Sequence, residues 1–178
     1  MKQKIVFEKH GLDFKNYPFK FGRLAESEHV SSTEIAEIWA HLYPPCLALK
    51  SRELLFVPAP EKEALLNWGQ NHGLKPVERP DLWETLCNPC LDTVYSPSIA
   101  AHDLQQLQEA GFSEQEVESI RAKISPALLA YNALLWDWTY LGLYDVLESR
   151  RFAWPFRLTS EFYFWAMQIA LRVLPVND

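Results

Sequence analysis

Apolar and polar residues alternate at the start of the chain. Ile5 and Phe7, then Leu12 and Phe14, stand two apart on either side of His10-Gly11, which is the period of a half-buried strand around a turn. A hairpin or short meander is expected over the first 22 residues. The period changes at Ser31. Ser31 and Glu34 have capping-box spacing, Ile35, Ile38, Trp39 and Leu42 fall on one helical stripe, and Pro44-Pro45 ends the run, so a helix is expected here. The stretch CLALKSRELLFVP from Cys46 to Pro58 reads as two short strands about Ser51-Arg52, or one longer strand. A helix from about Glu61 to His72 follows, with Gly73 placed to close it, and LKPVERPDL is a proline-punctuated connector.

The second half of the chain is helical in rhythm. Ser96-Pro97 suits an N-cap and first helical residue, with Leu104 and Leu107 on the stripe, Gly111 as terminator and Phe112 folding back. Ser113 and Glu116 make a second capping box ahead of Val117, Ile120 and Ile124. Pro126 is expected to restart the chain as a long apolar helix running to Glu148, with Asn132 and Thr139 on one side and Asp137, Asp145 and Glu148 roughly opposite. Polar groups on several sides mean that other parts of the chain must cover it. Its length approaches that of a bilayer span, yet each aspartate near mid-membrane would cost about 2.5–3.5 kcal/mol. A buried helix is the better reading. A last helix from about Thr159 to Leu174 presents Phe162, Trp165, Ala166, Ile169 and Val173 at helical spacing, as a partner for the central one.

Together these elements predict an α+β fold in a single domain over residues 1–178: a small N-terminal antiparallel β region packed on five or six helices. The 178-residue length suits one well-filled core. Aromatic residues at 13%, including seven tryptophans, argue for a packed rather than a disordered chain. The opening MKQKIVFEKHGLDF holds no uninterrupted apolar stretch of export-signal length, so a cytoplasmic protein is expected.

Charge changes the picture more than composition does. Residues 1–80 carry 11 Lys/Arg against 10 Asp/Glu, residues 81–148 carry 2 against 11, and residues 149–178 carry 4 against 2. The middle of the chain is thus an acidic block. Gathered on one face, such charge repels phosphates and attracts basic proteins. Spread over helices, it only solvates them.

Four constellations could carry chemistry. Cys87-x-x-Cys90 resembles the active-site spacing of thioredoxin-like oxidoreductases, and Pro126, 36 residues on, falls where that family would have its structural proline. That architecture needs a strand entering the first cysteine, whereas RPDLWETL reads as helical and two capped helices lie between the pair and Pro126. Cys46 with His102, His41 or His72 could complete a zinc site around the same pair, but apart from the loosely spaced His41 and Cys46 no second closely spaced ligand pair supports it. Two inward-facing thiols that pack are the simpler reading. The stretch ESRRFAWPFRLTSEF interleaves Arg150, Arg151 and Arg157 with Phe152, Trp154 and Phe156, the mixture used on nucleic acids. The overall acidity opposes this, and the arginines are expected to pair with the acidic block. Asp137, Tyr140 and Tyr144 share helical spacing and could form an acid or base in a pocket lined by Trp136, Trp138, Tyr140 and Trp165.

The stretch from His102 to Val117 has the rhythm of a helix-turn-helix. Its second helix opens Glu114, Gln115, Glu116, with Glu118 beyond, and a major groove would repel it. It is therefore read as a helical hairpin. The function expected is that of a non-catalytic protein acting on a basic protein partner through an acidic surface formed by Asp103, Glu109, Glu114, Glu116 and Glu118, as antitoxins, immunity proteins and adaptor subunits act. The reading includes no cofactor, no nucleic acid and no membrane. The rivals are an enzyme or small-ligand binder around Asp137, and an obligate homodimer that hides surplus aromatic surface.

Overall fold

The computed structural model describes residues 3–91, 95–135, 140–152 and 155–173. The fold is α+β, and its contacts divide the chain into two compact units, Met1–Arg79 and Pro80–Asp178.

The N-terminal unit holds the six strands found among the described residues. Strands β1 (Lys4–Phe7), β2 (Gly11–Lys15) and β3 (His29–Ser31) form one antiparallel sheet, with a short helix α1 (Arg23–Glu26) between β2 and β3. Strands β4 (Ile35–Trp39), β5 (Cys46–Leu49) and β6 (Leu54–Phe56) form a second. The opening hairpin and the pair of strands about Ser51-Arg52 are as the pattern predicts. An edge-to-face ladder of Phe14, Tyr17, Phe19 and Phe56, at centroid spacings of 5.6, 5.9 and 5.6 Å, joins the two sheets. The Phe56 N–H donates to the Tyr17 hydroxyl at 3.0 Å inside this ladder. Gly22, at φ 55°, leaves room for the buried Glu53 carboxylate, whose Oε2 accepts the Arg23 N–H at 2.8 Å; a Cβ on Gly22 would lie 2.4 Å from that oxygen. Helix α2 (Lys62–Asn71) follows, closed by Gly73 at φ 71°.

One element of this unit differs from expectation. The capping box of Ser31 and Glu34 is present, but it caps a single 3-10 turn, Ser32–Glu34, and the chain then enters β4 instead of a helix. A β-bulge explains the misreading. The register of β4 against β5 slips between Ile35 and Glu37, so that Ile35 and Ile38, three apart, are both buried, with Trp39 beside them. A bulge turns a period of two into a spacing of three, which sequence alone cannot tell from one helical turn. Glu34 then turns to Arg23, which donates from Nη2 to Oε1 at 3.1 Å.

The C-terminal unit is helical: α3 (Leu82–Cys87), α4 (Pro97–Glu109), α5 (Glu114–Leu135), α6 (Leu143–Phe152) and α7 (Ser160–Ala170). Side chains cap four of these starts. Asp81 Oδ1 accepts the Trp83 and Glu84 N–H groups at 3.0 and 3.1 Å, Ser96 accepts Ile99 N–H at 3.3 Å, Ser113 accepts Glu116 N–H at 3.2 Å, and Thr159 accepts Phe162 N–H at 3.3 Å. Phe112 folds back as expected, its N–H bonded to Leu107 O at 3.0 Å and its ring buried. Trp83 is buried and donates from its indole to Ala166 O of α7 at 3.1 Å.

The single apolar helix expected from Pro126 to Glu148 is not formed. Helix α5 runs unbroken through Pro126, and α6 begins anew at Leu143. Proline removes one ladder donor, but the loss is local. Ile124, Ala127 and Leu128 are buried on either side of it, Ser125 Oγ donates to Arg121 O at 2.6 Å, and Arg150 Nη2 donates to Lys123 O at 2.7 Å. Asp145, the third helical residue of α6, accepts the N–H of Gly142 at 3.0 Å, so this aspartate helps to start a helix instead of interrupting one. No helix among the described residues is long and apolar enough to cross a membrane.

Candidate functional site

The acidic block is only in part a surface. Asp103, expected on that surface, is 4% exposed, and its Oδ2 accepts Asn88 Nδ2 at 2.9 Å and the Tyr95 hydroxyl at 3.2 Å. Behind it, Arg121 Nη2 donates to Tyr95 Oη and to Thr85 O, both at 3.2 Å. Asp103 therefore holds α4 to the segment after α3 and cannot meet a partner. Sequence reasoning missed this network because residues 85, 88, 95, 103 and 121 share no local pattern. Tyr95 holds its proton above the usual phenol range, chiefly through burial, with Arg121 pulling the other way.

Glu116 is also diverted. It pairs with Arg172, whose guanidinium carbon lies 3.9 Å from the centroid of Phe112, and that charge holds its carboxyl below the usual range. Three of the five expected residues stay open. Glu109 at the end of α4, and Glu114 and Glu118 one turn apart on α5, are exposed and have no cationic partner among the described residues. Glu109 accepts only Gln105 Nε2, at 3.0 Å. The turn Ala110–Ser113 joins these two helices, and the apolar Leu107, Phe112, Val117 and Ile120 lie buried beneath it. The hairpin thus carries exposed carboxylates on both of its helices and is anchored by its apolar residues.

Carboxylates of the N-terminal unit are mixed: Glu8, Glu26 and Glu63 are exposed and in no ion pair among the described residues, while others are paired. Glu28 pairs with Lys15 at 3.1 Å, Glu37 with Arg79 at 2.6 Å, and Glu34 with Arg23. The arginines hold Glu34 and Glu37 below the usual carboxylate range. Glu8, Asp13 and His29 bring three ligand-type atoms within 4.8 Å of one another on this unit's first sheet. His29 Nδ1 lies 2.7 Å from Asp13 Oδ1, and Lys15 Nζ stands 3.7 Å from the other Asp13 oxygen, so the cluster carries its own counter-charge.

The cysteines take inward positions. Cys87 is fully buried, Cys90 is 4% exposed and donates to Ser125 Oγ at 3.4 Å, and Cys46 sits within β5 and donates to Pro44 O at 3.3 Å. Burial pushes the Cys87 thiol well above the ordinary range, the reverse of what a redox nucleophile needs. Helix α3 leads into the pair, so no strand does. His102 is exposed on α4, and among the described residues no cysteine joins a convergent group of three ligand atoms.

Asp137, Trp136 and Trp138 lie outside the described residues. Of the other residues read with them, Tyr140 donates its hydroxyl to Asp81 Oδ2, the second oxygen of the α3 cap. Tyr144 is pushed up to about 12, first by burial and then by Glu148, and Tyr131 likewise. Glu148 is buried and paired with Arg151; burial raises its carboxyl and the arginine opposes that rise. Tyr144 therefore holds its proton more firmly than an ordinary phenol does.

Compared with family models, with curated proteins and with solved structures, the chain finds no match in any of the three.

Proposed function

We propose that the C-terminal unit is a non-catalytic binding module whose α4–α5 hairpin recruits a basic protein partner. The observation that carries this reading is the unneutralised charge of Glu109, Glu114 and Glu118 on a single hairpin. The other unit has exposed carboxylates as well, Glu8, Glu26 and Glu63, but there basic side chains are as numerous as acidic ones, and Glu28, Glu34 and Glu37 are matched by a lysine or arginine. Residues 80–178 carry 6 Lys/Arg against 13 Asp/Glu, while residues 1–79 carry 11 against 10. Charge left exposed in this way steers encounter and excludes acidic competitors more than it adds affinity.

The test is affinity capture from the native cytoplasm with the wild-type chain and with the triple variant Glu109→Lys, Glu114→Lys, Glu118→Lys, followed by kinetics on the protein captured. The expected result is a basic partner whose association rate with the variant falls at least about tenfold while dissociation changes little. Capture of the same protein by the variant at an unchanged association rate refutes the reading.

A further inference from the structure

The arginines of the aromatic stretch do not all pair with the acidic block. Arg151 takes Glu148, but among the described residues Arg150 has no carboxylate partner, and neither has Lys123. These two cations, from α6 and α5, lie together against the rings of α7 and the segment before it. Lys123 Nζ is 3.8 Å from the centroid of Trp165 and 5.6 Å from that of Phe162. The Arg150 guanidinium carbon is 4.1 Å from the centroid of Phe162 and 5.5 Å from that of Phe156. Arg150 Nη2 donates to the backbone carbonyl of Lys123 at 2.7 Å, which ties the guanidinium to the lysine's turn of α5, while the buried Nε has no acceptor among the described residues.

Two like charges that share the Phe162 ring repel, and the aromatic rings remove part of the water that would screen them. Burial and then the charge of Arg150 pull the Lys123 ammonium below its usual range, and burial lowers Arg150 as well. The unit has seven more acidic than basic side chains, yet among the described residues none of its carboxylates pairs with either cation. Cation–π contact offsets some of the cost. It leaves the net double charge and most of the guanidinium's donors unmatched.

We propose that Lys123 and Arg150 form a binding site for a small phosphate-type oxyanion. A dianion matches the two charges. The planar guanidinium supplies directional donors and the ammonium a mobile one, and Lys123 is exposed, so a ligand reaches it from solvent. The half-exposed rings of Trp165 and Phe156 border the pair, so an aromatic body attached to the phosphate would find an apolar edge.

The experiment is calorimetric titration of the full chain with inorganic phosphate and, separately, with phenyl phosphate, against chloride at matched ionic strength. Saturable binding of one phosphate per chain is expected. Lys123→Gln, an exposed substitution, weakens it about tenfold or more, as loss of a charge-assisted hydrogen bond does. Arg157→Gln removes the same charge from a neighbouring exposed position and changes it by less than about twofold. Arg150→Lys keeps the charge and weakens binding by loss of the fork, with circular dichroism confirming that each variant folds. Tighter binding of phenyl phosphate assigns the site to a phosphorylated aromatic molecule, and equal or weaker binding assigns it to free phosphate. Absence of saturation beyond the chloride control, or equal weakening by Lys123→Gln and Arg157→Gln, overturns the proposal.

Discussion

His72 offers a direct test of the fold of the N-terminal unit. Its Nδ1 lies 2.8 Å from Trp68 O and its Nε2 2.8 Å from Lys9 O. Both partners are carbonyls, so both ring nitrogens must donate, and only the imidazolium does that. The ring also stacks on Trp68 at 4.2 Å, and Trp68 Nε1 in turn donates to Glu8 O at 2.8 Å. Protonated His72 therefore ties the end of α2 to the β1–β2 turn. The Trp68 carbonyl first, and the Lys9 carbonyl second, raise its pKa above 6.5 against a small opposing effect of burial. A folded pKa above the unfolded one contributes stability fully present below about 6.5 and lost as pH rises through the folded value. Above that value one of the two donors is gone.

His72→Phe keeps the stack and removes both donors. At about 0.5–1.5 kcal/mol for each net hydrogen bond, and taking the lower half of that range because the Lys9 side is open to water, the substitution costs about 1–2 kcal/mol at pH 5.5. Urea unfolding followed by circular dichroism at pH 5.5 and 8.5 measures this. The difference between wild type and variant shrinks with rising pH, and the Cε1 proton of His72 titrates by NMR with a midpoint above 6.5. A midpoint at or below 6.5, or a difference independent of pH, refutes the double-donor geometry.

Two further outcomes follow from buried groups. Tyr17→Phe leaves the Phe56 N–H without its acceptor inside the aromatic ladder and costs about 1–3 kcal/mol by denaturant titration, well above the few tenths expected if the hydroxyl were solvated. Cys46, Cys87 and Cys90 resist a thiol reagent such as iodoacetamide at neutral pH in the native protein, and all three react once it is unfolded; rapid native labelling of Cys87 would contradict its burial.

Legibility in the sequence followed locality. Helices α2, α4, α5 and α7 announce themselves through residues within a turn of their ends: Gly73, Ser96-Pro97, Ser113 and Thr159. The β1–β2 and β5–β6 hairpins show through alternation. Misreadings arose where a distant partner decided the outcome. The β4 segment carries a true capping box and a false helical stripe, and only pairing with β5 forces the bulge. Pro126 looks like a stop, yet Arg150, 24 residues on, takes a carbonyl of that turn while buried neighbours hold the helix straight through. Strand β3 and helix α1 are too short to show a period. Asp103 counts as one more negative charge in a tally, and only its contacts with Asn88 and Tyr95 move it inside. Lys123 and Arg150, 27 positions apart, gave no joint signal at all.

The claim that the α4–α5 hairpin recruits its partner by charge is tested most directly by the association rate of the captured partner as a function of salt, measured by stopped flow. Between roughly 20 and 500 mM salt, where the screening length falls from about 20 Å to a few ångströms, the account predicts a steep fall in association rate for the wild type and none, or a rise, for the triple lysine variant. Equal and shallow salt dependence for the two proteins contradicts it.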